Sequence, residues 1–264
     1  MKLFRLVAAI FSMLLLMGCA GSPSADRSRV QAPSSQEVVS GEARTRAKAR
    51  TDLGFEYLAQ KQYGTALQEG KTALAHDSNY TPTHNLLALI YFELGDYAAA
   101  EESFKRALQL SPSDPEIANN YGWFLCHTKR EQESFQYFNM ALQNTLYPTP
   151  QRALVNAAEC AMQMRDYKVA DGYLSRALAM NPHDVRMLFS ASNLKYQQQQ
   201  YIEAHGYITA MHKNADPTAA SIWLAFRIAR KTGNREDEAR YLSQMRKKFS
   251  DSEEYRKLLR GVEE

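Results

Sequence analysis

The chain has 264 residues, of which 45% are hydrophobic and 23% are charged, and its formal net charge is +3. A charge this close to balance argues against nucleic acid as a partner, because nucleic-acid binding requires a basic stripe. The composition is rich in alanine and poor in glycine, which favours helices and gives no indication of a sheet.

The segment 1–18 has the pattern of an export signal. Lys2 and Arg5 form a basic start, residues 6–17 are an apolar run, and Leu16-Met17-Gly18-Cys19 closes the segment. The run is too short for a hydrocarbon core, which takes about 20 helical residues to cross. The closing residues resemble the bacterial lipobox, which implies cleavage before Cys19 and lipidation of Cys19. An ordinary secretory signal with a cysteine at its cleavage site is the alternative.

The residue after the cysteine bears on where the protein resides. Ala20 follows Cys19, and the sorting rule of such lipoproteins takes the absence of aspartate at this position as permission to go to the outer membrane. Several acyl chains, at about 0.8 kcal/mol per buried methylene, would give stable attachment. We therefore expect a protein anchored by lipid to the periplasmic face of the outer membrane, with the lipoprotein sorting machinery among its partners.

A flexible segment and a basic cluster come next. Residues 20–41 are rich in Ser, Ala, Gln, Pro and Gly and nearly free of large apolar side chains, a composition that does not offset the entropy of ordering. We assign 1–18 to the signal peptide, 19–44 to the lipidated cysteine with a disordered tether, and 45–264 to the folded domain. The basic cluster is predicted to be a solvated helix face, with contact to lipid headgroups as the alternative. It comprises Arg44, Arg46, Lys48 and Arg50.

The stretch 81–114 carries the pattern of a single two-helix repeat. Ala88 and Ala100 are small where the two helices must approach each other within roughly 8–10 Å. Gly95 supplies a left-handed backbone that ends the first helix, and Pro112 stops the second helix. This spacing is that of the tetratricopeptide repeat.

The same pattern recurs on both sides of that stretch. The small residue that opens the second helix occurs at Ala66, Ala100, Ser134, Ala170, Ala204 and Ala239, so that successive positions differ by 34, 34, 36, 34 and 35. We predict an all-α fold, a right-handed tetratricopeptide-repeat solenoid of about six repeats in which each unit buries its apolar face on its neighbours. A capping helix is predicted at about residues 252–262. Another all-α bundle is the alternative.

Two cysteines remain after Cys19, namely Cys126 and Cys160. Both fall on first helices of adjacent repeats at similar heights, so their Cα atoms could approach within the roughly 4.4–6.8 Å that a disulfide needs. An even count in an oxidising periplasm favours a bridge. Two buried thiols acting as small apolar residues are the alternative.

The first helices also predict where a ligand would bind. In such a stack their ninth and twelfth residues point to the concave side, and in repeats one to three these residues form an apolar ribbon that fades towards the C-terminus. Asparagines flank the ribbon with amides that could bind the backbone of an extended peptide. The predicted protein-binding groove comprises Phe55, Leu58, Asn85, Leu89, Phe92, Asn119, Asn120 and Trp123. An exposed apolar patch of this size marks an interaction site. Burial of some of these residues between helices, Leu89 above all, is the alternative.

Patterns of catalysis are absent from the sequence. There is no nucleophile elbow, no phosphate-binding loop and no HExxH or CxxC. The histidines are scattered without the spacing of metal ligands. We therefore predict a protein that is not an enzyme and that has no catalytic residues, no metal site and no cofactor.

Two strings go beyond a generic repeat. Residues 119–126 read NNYGWFLC and residues 156–160 read NAAEC. With the lipobox and the repeats, they resemble the PilF/PilW family of type IV pilus lipoproteins. The resemblance implies a pilotin, which binds the secretin subunits of the pilus pore, accompanies them to the outer membrane and permits their multimerisation. It also implies pairing of the two cysteines. We expect a monomer, and we keep as the alternative a periplasmic scaffold for cell-wall hydrolases or outer-membrane protein assembly.

Overall fold

A computed structural model describes the backbone of residues 35–261 and the side chains from residue 41 onward. The signal peptide, Cys19 and most of the tether lie outside these described residues. The chain divides into one unit that ends at Glu42 and a second unit, Ala43–Glu264, which carries the repeats. Along the described residues, no helix is both long and apolar enough to span a bilayer.

Residues 35–261 form thirteen helices and no strand. Twelve of them make six consecutive pairs, one pair for each predicted repeat, and the last helix stands alone. The helices are α1 (Ser35–Ala59), α2 (Tyr63–His76), α3 (Thr81–Glu93), α4 (Tyr97–Leu110), α5 (Pro115–His127), α6 (Glu131–Gln143), α7 (Pro150–Gln163), α8 (Tyr167–Met180), α9 (Val185–Gln197), α10 (Tyr201–Asn214), α11 (Ala219–Thr232), α12 (Arg235–Lys248) and α13 (Glu253–Leu259).

Helix α1 begins earlier than predicted. It starts at Ser35, inside the segment assigned to the tether over 19–44. Residues 36–50 contain no proline and many glutamate, alanine, arginine and lysine residues, which have high intrinsic helix propensity. The tether assignment is therefore wrong over 35–44, because helix propensity continues upstream of the first repeat.

One backbone feature ends the first helix of all six repeats. A residue with φ between +59° and +80° follows each first helix, at Lys61, Gly95, Lys129, Arg165, Gln199 and Gly233. These positions recur with the period of the repeat. The left-handed conformation predicted for Gly95 is confirmed. Four of the six positions carry lysine, arginine or glutamine, which give no sequence signal for this conformation.

The small residues at the start of the second helices are buried in five repeats. Ala66, Ala100, Ser134, Ala170 and Ala204 have no exposed surface, but Ala239 is exposed. In the sixth repeat the residue equivalent to Ala204 is Glu238, which forms an ion pair with Arg230 over 3.5 Å. The predicted position of the small residue is wrong there because α12 buries Tyr241 and Met245 instead.

First helices also pack on first helices along the stack. Helix α5 contacts α3 and α7, and α9 contacts α7 and α11. Second helices lack comparable contacts with one another within the described residues. First helices therefore lie closer together, which places them on the concave side of the stack.

The predicted cap is helix α13. The Ser252 hydroxyl accepts a hydrogen bond from the Tyr255 backbone amide at its start. Tyr255 and Leu258 pack against the buried cluster of the last repeats. Helix α13 thereby covers part of the terminal apolar face, as a capping element must.

An ionic cluster joins the second and third repeats. The Glu101 carboxylate accepts a hydrogen bond from the Tyr121 hydroxyl over 3.1 Å and forms ion pairs with Lys105 at 2.7 Å and Arg130 at 2.9 Å. The Lys105 hydrogen bond, together with those of Arg130 and Tyr121, lowers the pKa of Glu101 from 4.5 to about 2 against the opposing effect of burial. The charged form of Glu101 is therefore the one that stabilises this junction.

Three residues of the basic cluster on α1 have carboxylate partners. Arg44 lies 3.2 Å from Asp77 and Arg50 lies 3.0 Å from Glu69. Lys48 pairs with a carboxylate one turn away on α1. Arg50 thus connects α1 to α2, and Arg44 connects α1 to the residue that follows α2. This supports a face that serves the fold rather than lipid headgroups.

A candidate protein-binding groove on the first helices

The five apolar residues predicted for the groove are each packed on one side and exposed on the other. They are Phe55, Leu58, Leu89, Phe92 and Trp123, and all five are half-buried. The first two pack beside the buried cluster of the first two repeats, and the next two beside the cluster of repeats two and three. Leu89, for which burial was the alternative, keeps part of its side chain accessible.

Aromatic rings gather at the centre of this ribbon. The Phe92 ring centroid lies 4.7 Å from that of Trp123, which it meets edge-on. It also lies 5.8 Å from Tyr97 and 6.1 Å from His127. These distances match the roughly 4.5–7 Å range in which aromatic pairs stabilise each other. The four rings are held in place by their mutual contacts, and they offer an apolar surface with polar groups at its edge.

Sequence reasoning missed two members of this cluster. Tyr97 is 54% exposed at the start of α4, and His127 is exposed at the end of α5. The His127 ring lies 4.2 Å from the Trp123 ring, and its Nδ1 lies 2.9 Å from the Trp123 carbonyl oxygen. Counting only the ninth and twelfth positions left both residues out, since they follow at the next turn and in the next helix.

The three asparagines predicted for the groove are buried. The exposed fractions of Asn85, Asn119 and Asn120 are 5%, 0% and 7%. Asn120 Nδ2 donates to Asn85 Oδ1 over 3.1 Å, and Asn119 Nδ2 donates to Asn120 Oδ1 over 3.3 Å. Asn119 Oδ1 accepts from Asn156 Nδ2 over 2.8 Å. The role predicted for Asn119 is corrected: its side chain faces the adjacent first helix and is fully enclosed. A binding role for the other two stays a prediction.

We call the chain of bonded amides formed by Asn85, Asn120, Asn119 and Asn156 the asparagine ladder. It links the first helices of repeats two, three and four. Asn156 Oδ1 then accepts from Arg186 on α9 over 2.6 Å. The sequence does contain an indication of this ladder, because Asn85 and Asn119 occupy the same position in consecutive repeats.

Beyond the third repeat the concave surface becomes polar. Glu159 on α7 is the equivalent of Trp123 in the fourth repeat, and it pairs with Arg186 at 3.0 Å and accepts a hydrogen bond from the Ser190 hydroxyl over 2.8 Å. The half-buried Met162 follows one helical turn later. The apolar ribbon is therefore confined to repeats one to three.

The two cysteines lie beneath the groove. Their Cα atoms are 5.8 Å apart and their sulfur atoms are within bonding distance. Both are buried in a cluster with Phe138 and Ala157, against which Trp123 packs. The covalent bond itself stays a prediction, and it would join the first helices of repeats three and four.

Among residues 41–261, no group of three or more His, Cys, Asp or Glu side chains is arranged to hold a metal ion. The absence of catalytic activity stays a prediction.

Comparisons with known proteins agree with this geometry. A family model of the tetratricopeptide repeat matches residues 85–149. The type IV pilus assembly protein PilF of Pseudomonas aeruginosa is 28% identical over 249 residues, which cover 94% of this chain and 96% of PilF.

Two solved structures extend the comparison. The crystal structure of PilW, described as a widely conserved type IV pilus biogenesis factor, superposes with a TM-score of 0.74 and 32% identity, covering 81% of this chain and 98% of PilW. The structure of P. aeruginosa PilF superposes with a TM-score of 0.70 and 27% identity, covering 84% of this chain and 99% of PilF.

Proposed function

This chain belongs to the PilF/PilW family of tetratricopeptide-repeat proteins of type IV pilus biogenesis, and from this we propose that it acts as a pilotin. In this role it binds the secretin subunits of the type IV pilus and promotes their localisation to the outer membrane and their multimerisation there. The function is that of an adaptor, in which no covalent bond is made or broken.

The observation that carries this proposal is the half-exposed apolar ribbon on repeats one to three. Phe92 and Trp123 form its aromatic centre, and Phe55, Leu58 and Leu89 extend it along the first helices. A segment with apolar side chains can bury them against this surface, and aromatic anchors of this kind dominate binding energy at protein interfaces.

The groove is held in shape before a partner arrives. The asparagine ladder fixes the first helices of repeats two to four through hydrogen bonds of 3.3, 3.1 and 2.8 Å. We include in the proposal a disulfide between Cys126 and Cys160, which would fix the third and fourth first helices further. A rigid surface loses less conformational entropy on binding than a mobile one, which favours affinity.

Location is the second half of the proposal. Cleavage before Cys19 and acylation of this residue would let the lipoprotein sorting machinery deliver the protein to the outer membrane, and a bound secretin subunit would travel with it. The support is the lipobox-like sequence 16–19 and the alanine at position 20. Replacing Cys19 by serine should abolish labelling with radioactive palmitate and release the protein from the membrane fraction.

The groove is tested with a charged substitution. Phe55→Asp combined with Trp123→Asp should weaken capture of purified secretin subunits by about tenfold or more, because it places two charges where apolar contact is needed. The matched control is Leu53→Asp combined with Met140→Asp, which changes charge equally at side chains that are 38% and 37% exposed outside the groove. Circular dichroism should show the same helix content for both variants. Equal capture by the groove variant and the wild type would contradict the proposal.

Gene deletion separates this function from the alternative. Loss of a pilotin should abolish twitching motility and leave secretin monomers away from the outer membrane. Loss of a scaffold for cell-wall hydrolases should change cell shape while twitching persists.

A further inference from the structure

The first helices of the fifth and sixth repeats form a second surface with different chemistry. A narrow cleft between α9 and α11 is lined by Tyr196, Trp223, Phe226, Arg227, Arg230 and Lys231. We call it the basic cleft. Arg227 and Arg230 occupy the ninth and twelfth positions of α11, the positions that carry apolar residues in the groove of repeats one to three. The basic cleft therefore lies on the concave side, two repeats beyond the apolar ribbon.

Arg227 is held in place by aromatic rings and not by a carboxylate. Its guanidinium carbon lies 4.4 Å from the centroid of the Tyr196 ring and 5.9 Å from that of Trp223. Its Nε is enclosed and has no hydrogen-bond partner. Stacking fixes the plane of a guanidinium and removes part of its hydration, so its remaining donors are preorganised for an anion.

Two of the three positive charges in this cleft, those of Arg227 and Lys231, are not neutralised from within the described residues. Neither Arg227 nor the exposed Lys231 has a carboxylate within 4.0 Å there. The carboxylate of Glu238 is engaged with Arg230 at 3.5 Å and with Arg235 at 3.3 Å. The two cations thus differ from the basic residues elsewhere on the stack that have acidic partners, which include Arg44, Arg50, Arg130, Arg152, Arg186 and Lys195.

We infer that the basic cleft binds an acidic peptide segment, in which Asp or Glu carboxylates pair with the guanidinium of Arg227 and the ammonium of Lys231, above the buried rings of Trp223 and Phe226. A carboxylate accepts two parallel hydrogen bonds from a guanidinium, and this pairing is strongest where the guanidinium is partly desolvated. A peptide is favoured over a membrane surface because the cleft lies on the concave side of the stack, where a flat bilayer does not reach. This inference goes beyond the proposed function, since it concerns other repeats and another chemistry.

The probe is a fluorescein-labelled peptide of about twelve residues in which Glu and Asp alternate with Ser, a length that spans two repeats in extended form. Its counterpart replaces Glu and Asp by Gln and Asn. Fluorescence anisotropy against the full-length protein in detergent measures binding of both. The acidic peptide should bind about tenfold tighter than its amide counterpart, and the difference should shrink as salt is raised.

Two variants locate the site. Arg227→Gln combined with Lys231→Gln should weaken binding of the acidic peptide about tenfold. Lys247→Gln combined with Lys248→Gln is the matched control, since it removes the same charge from exposed residues at the end of α12 in the same repeat, and it should change binding less than about twofold. Arg227→Lys should fall between the wild type and the double variant, because it keeps the charge and loses the stacked plane.

Three results would overturn the inference. The first is equal weakening by both pairs of substitutions, which would mean attraction to overall charge alone. The second is equal affinity for the acidic and amide peptides. The third is tight binding to vesicles of phosphatidylglycerol that depends on Arg227 and Lys231 while the peptide does not bind, which would identify the cleft as a lipid site. Circular dichroism of each variant excludes unfolding as the cause of a loss.

Discussion

Asn119→Ala should destabilise the protein without acting directly on partner binding. Asn119 has no exposed surface, and its amide bonds both Asn120 over 3.3 Å and Asn156 over 2.8 Å. Removing it leaves one buried acceptor and one buried donor short of a partner, and each such loss costs about 1–3 kcal/mol. Because both neighbours are 7% exposed, water can replace part of what is lost. We expect a decrease of about 2–3 kcal/mol in the free energy of unfolding.

Urea unfolding followed by far-ultraviolet circular dichroism measures this decrease. With a slope of about 2–3 kcal/mol per molar urea, the midpoint should fall by about 1 M. Asn193→Ala is the matched control, since Asn193 is half-buried on the concave face of α9 and its side chain makes no hydrogen bond within the described residues. Its change should stay below about 0.5 kcal/mol.

A double-mutant cycle attributes the effect to the ladder. Asn119→Ala and Asn156→Ala together should cost less than the sum of the single changes by about 1 kcal/mol, because both remove the same hydrogen bond. The reasoning would be refuted if Asn119→Ala shifted the midpoint no more than Asn193→Ala. Loss of secretin capture at unchanged stability would also refute it, and would restore the role in ligand contact that the sequence had suggested.

Three further predictions concern the backbone, pH and the cysteines. Lys129→Gly should raise the free energy of unfolding by about 0.5–1 kcal/mol, because φ of +65° strains any residue with a Cβ. Gly95→Ala should lower the free energy of unfolding by a similar amount. Thermal melts should show a higher melting temperature for the first variant and a lower one for the second. Glu101 stabilises the fold fully above its ordinary pKa of 4.5, and this contribution should be lost as pH falls from 4.5 to about 2. The shift in the pKa of Glu101 limits this contribution to the free energy of unfolding to about 3 kcal/mol. Because the side chain is 25% exposed, solvent screening reduces the contribution to about 1–2 kcal/mol. Urea unfolding of Glu101→Gln should lack this pH dependence. Mass spectrometry of the unreduced protein should show the loss of two hydrogens between Cys126 and Cys160. Reduction should lower the free energy of unfolding by up to about 3–4 kcal/mol, because the bridge closes a loop with a sequence separation of 34. An unchanged melting temperature on reduction would argue against the bridge.

The number of repeats could be predicted because local chemistry repeats along the chain. Small residues where helices touch recur at a regular period, with glycine or proline at some of the helix ends, and recognising them needs no knowledge of distant residues. Degenerate positions escaped this reasoning. Gln199 adopts φ of +61°, although glutamine gives no indication of this conformation. Ala239 has the size of a contact residue, but its repeat buries Tyr241 instead.

The apolar part of the candidate site could also be predicted from the periodicity of the sequence. Helical spacing identifies residues that share a face, so Phe55, Leu89, Phe92 and Trp123 could be placed on one surface from the sequence. Tyr97 was missed because it belongs to the following helix and reaches the aromatic cluster only through the fold of the pair.

The sequence by itself therefore determined the set of helices, their pairing into repeats and the face on which the apolar ribbon lies. These features follow from interactions between residues close along the chain. Tertiary structure alone decided which residues of that face remain accessible. Asn119 is closed off by the neighbouring first helix, and Arg227 is left without a carboxylate beside the Tyr196 ring. Burial and charge pairing depend on side chains one repeat or more away, and no local pattern specifies how closely those helices approach.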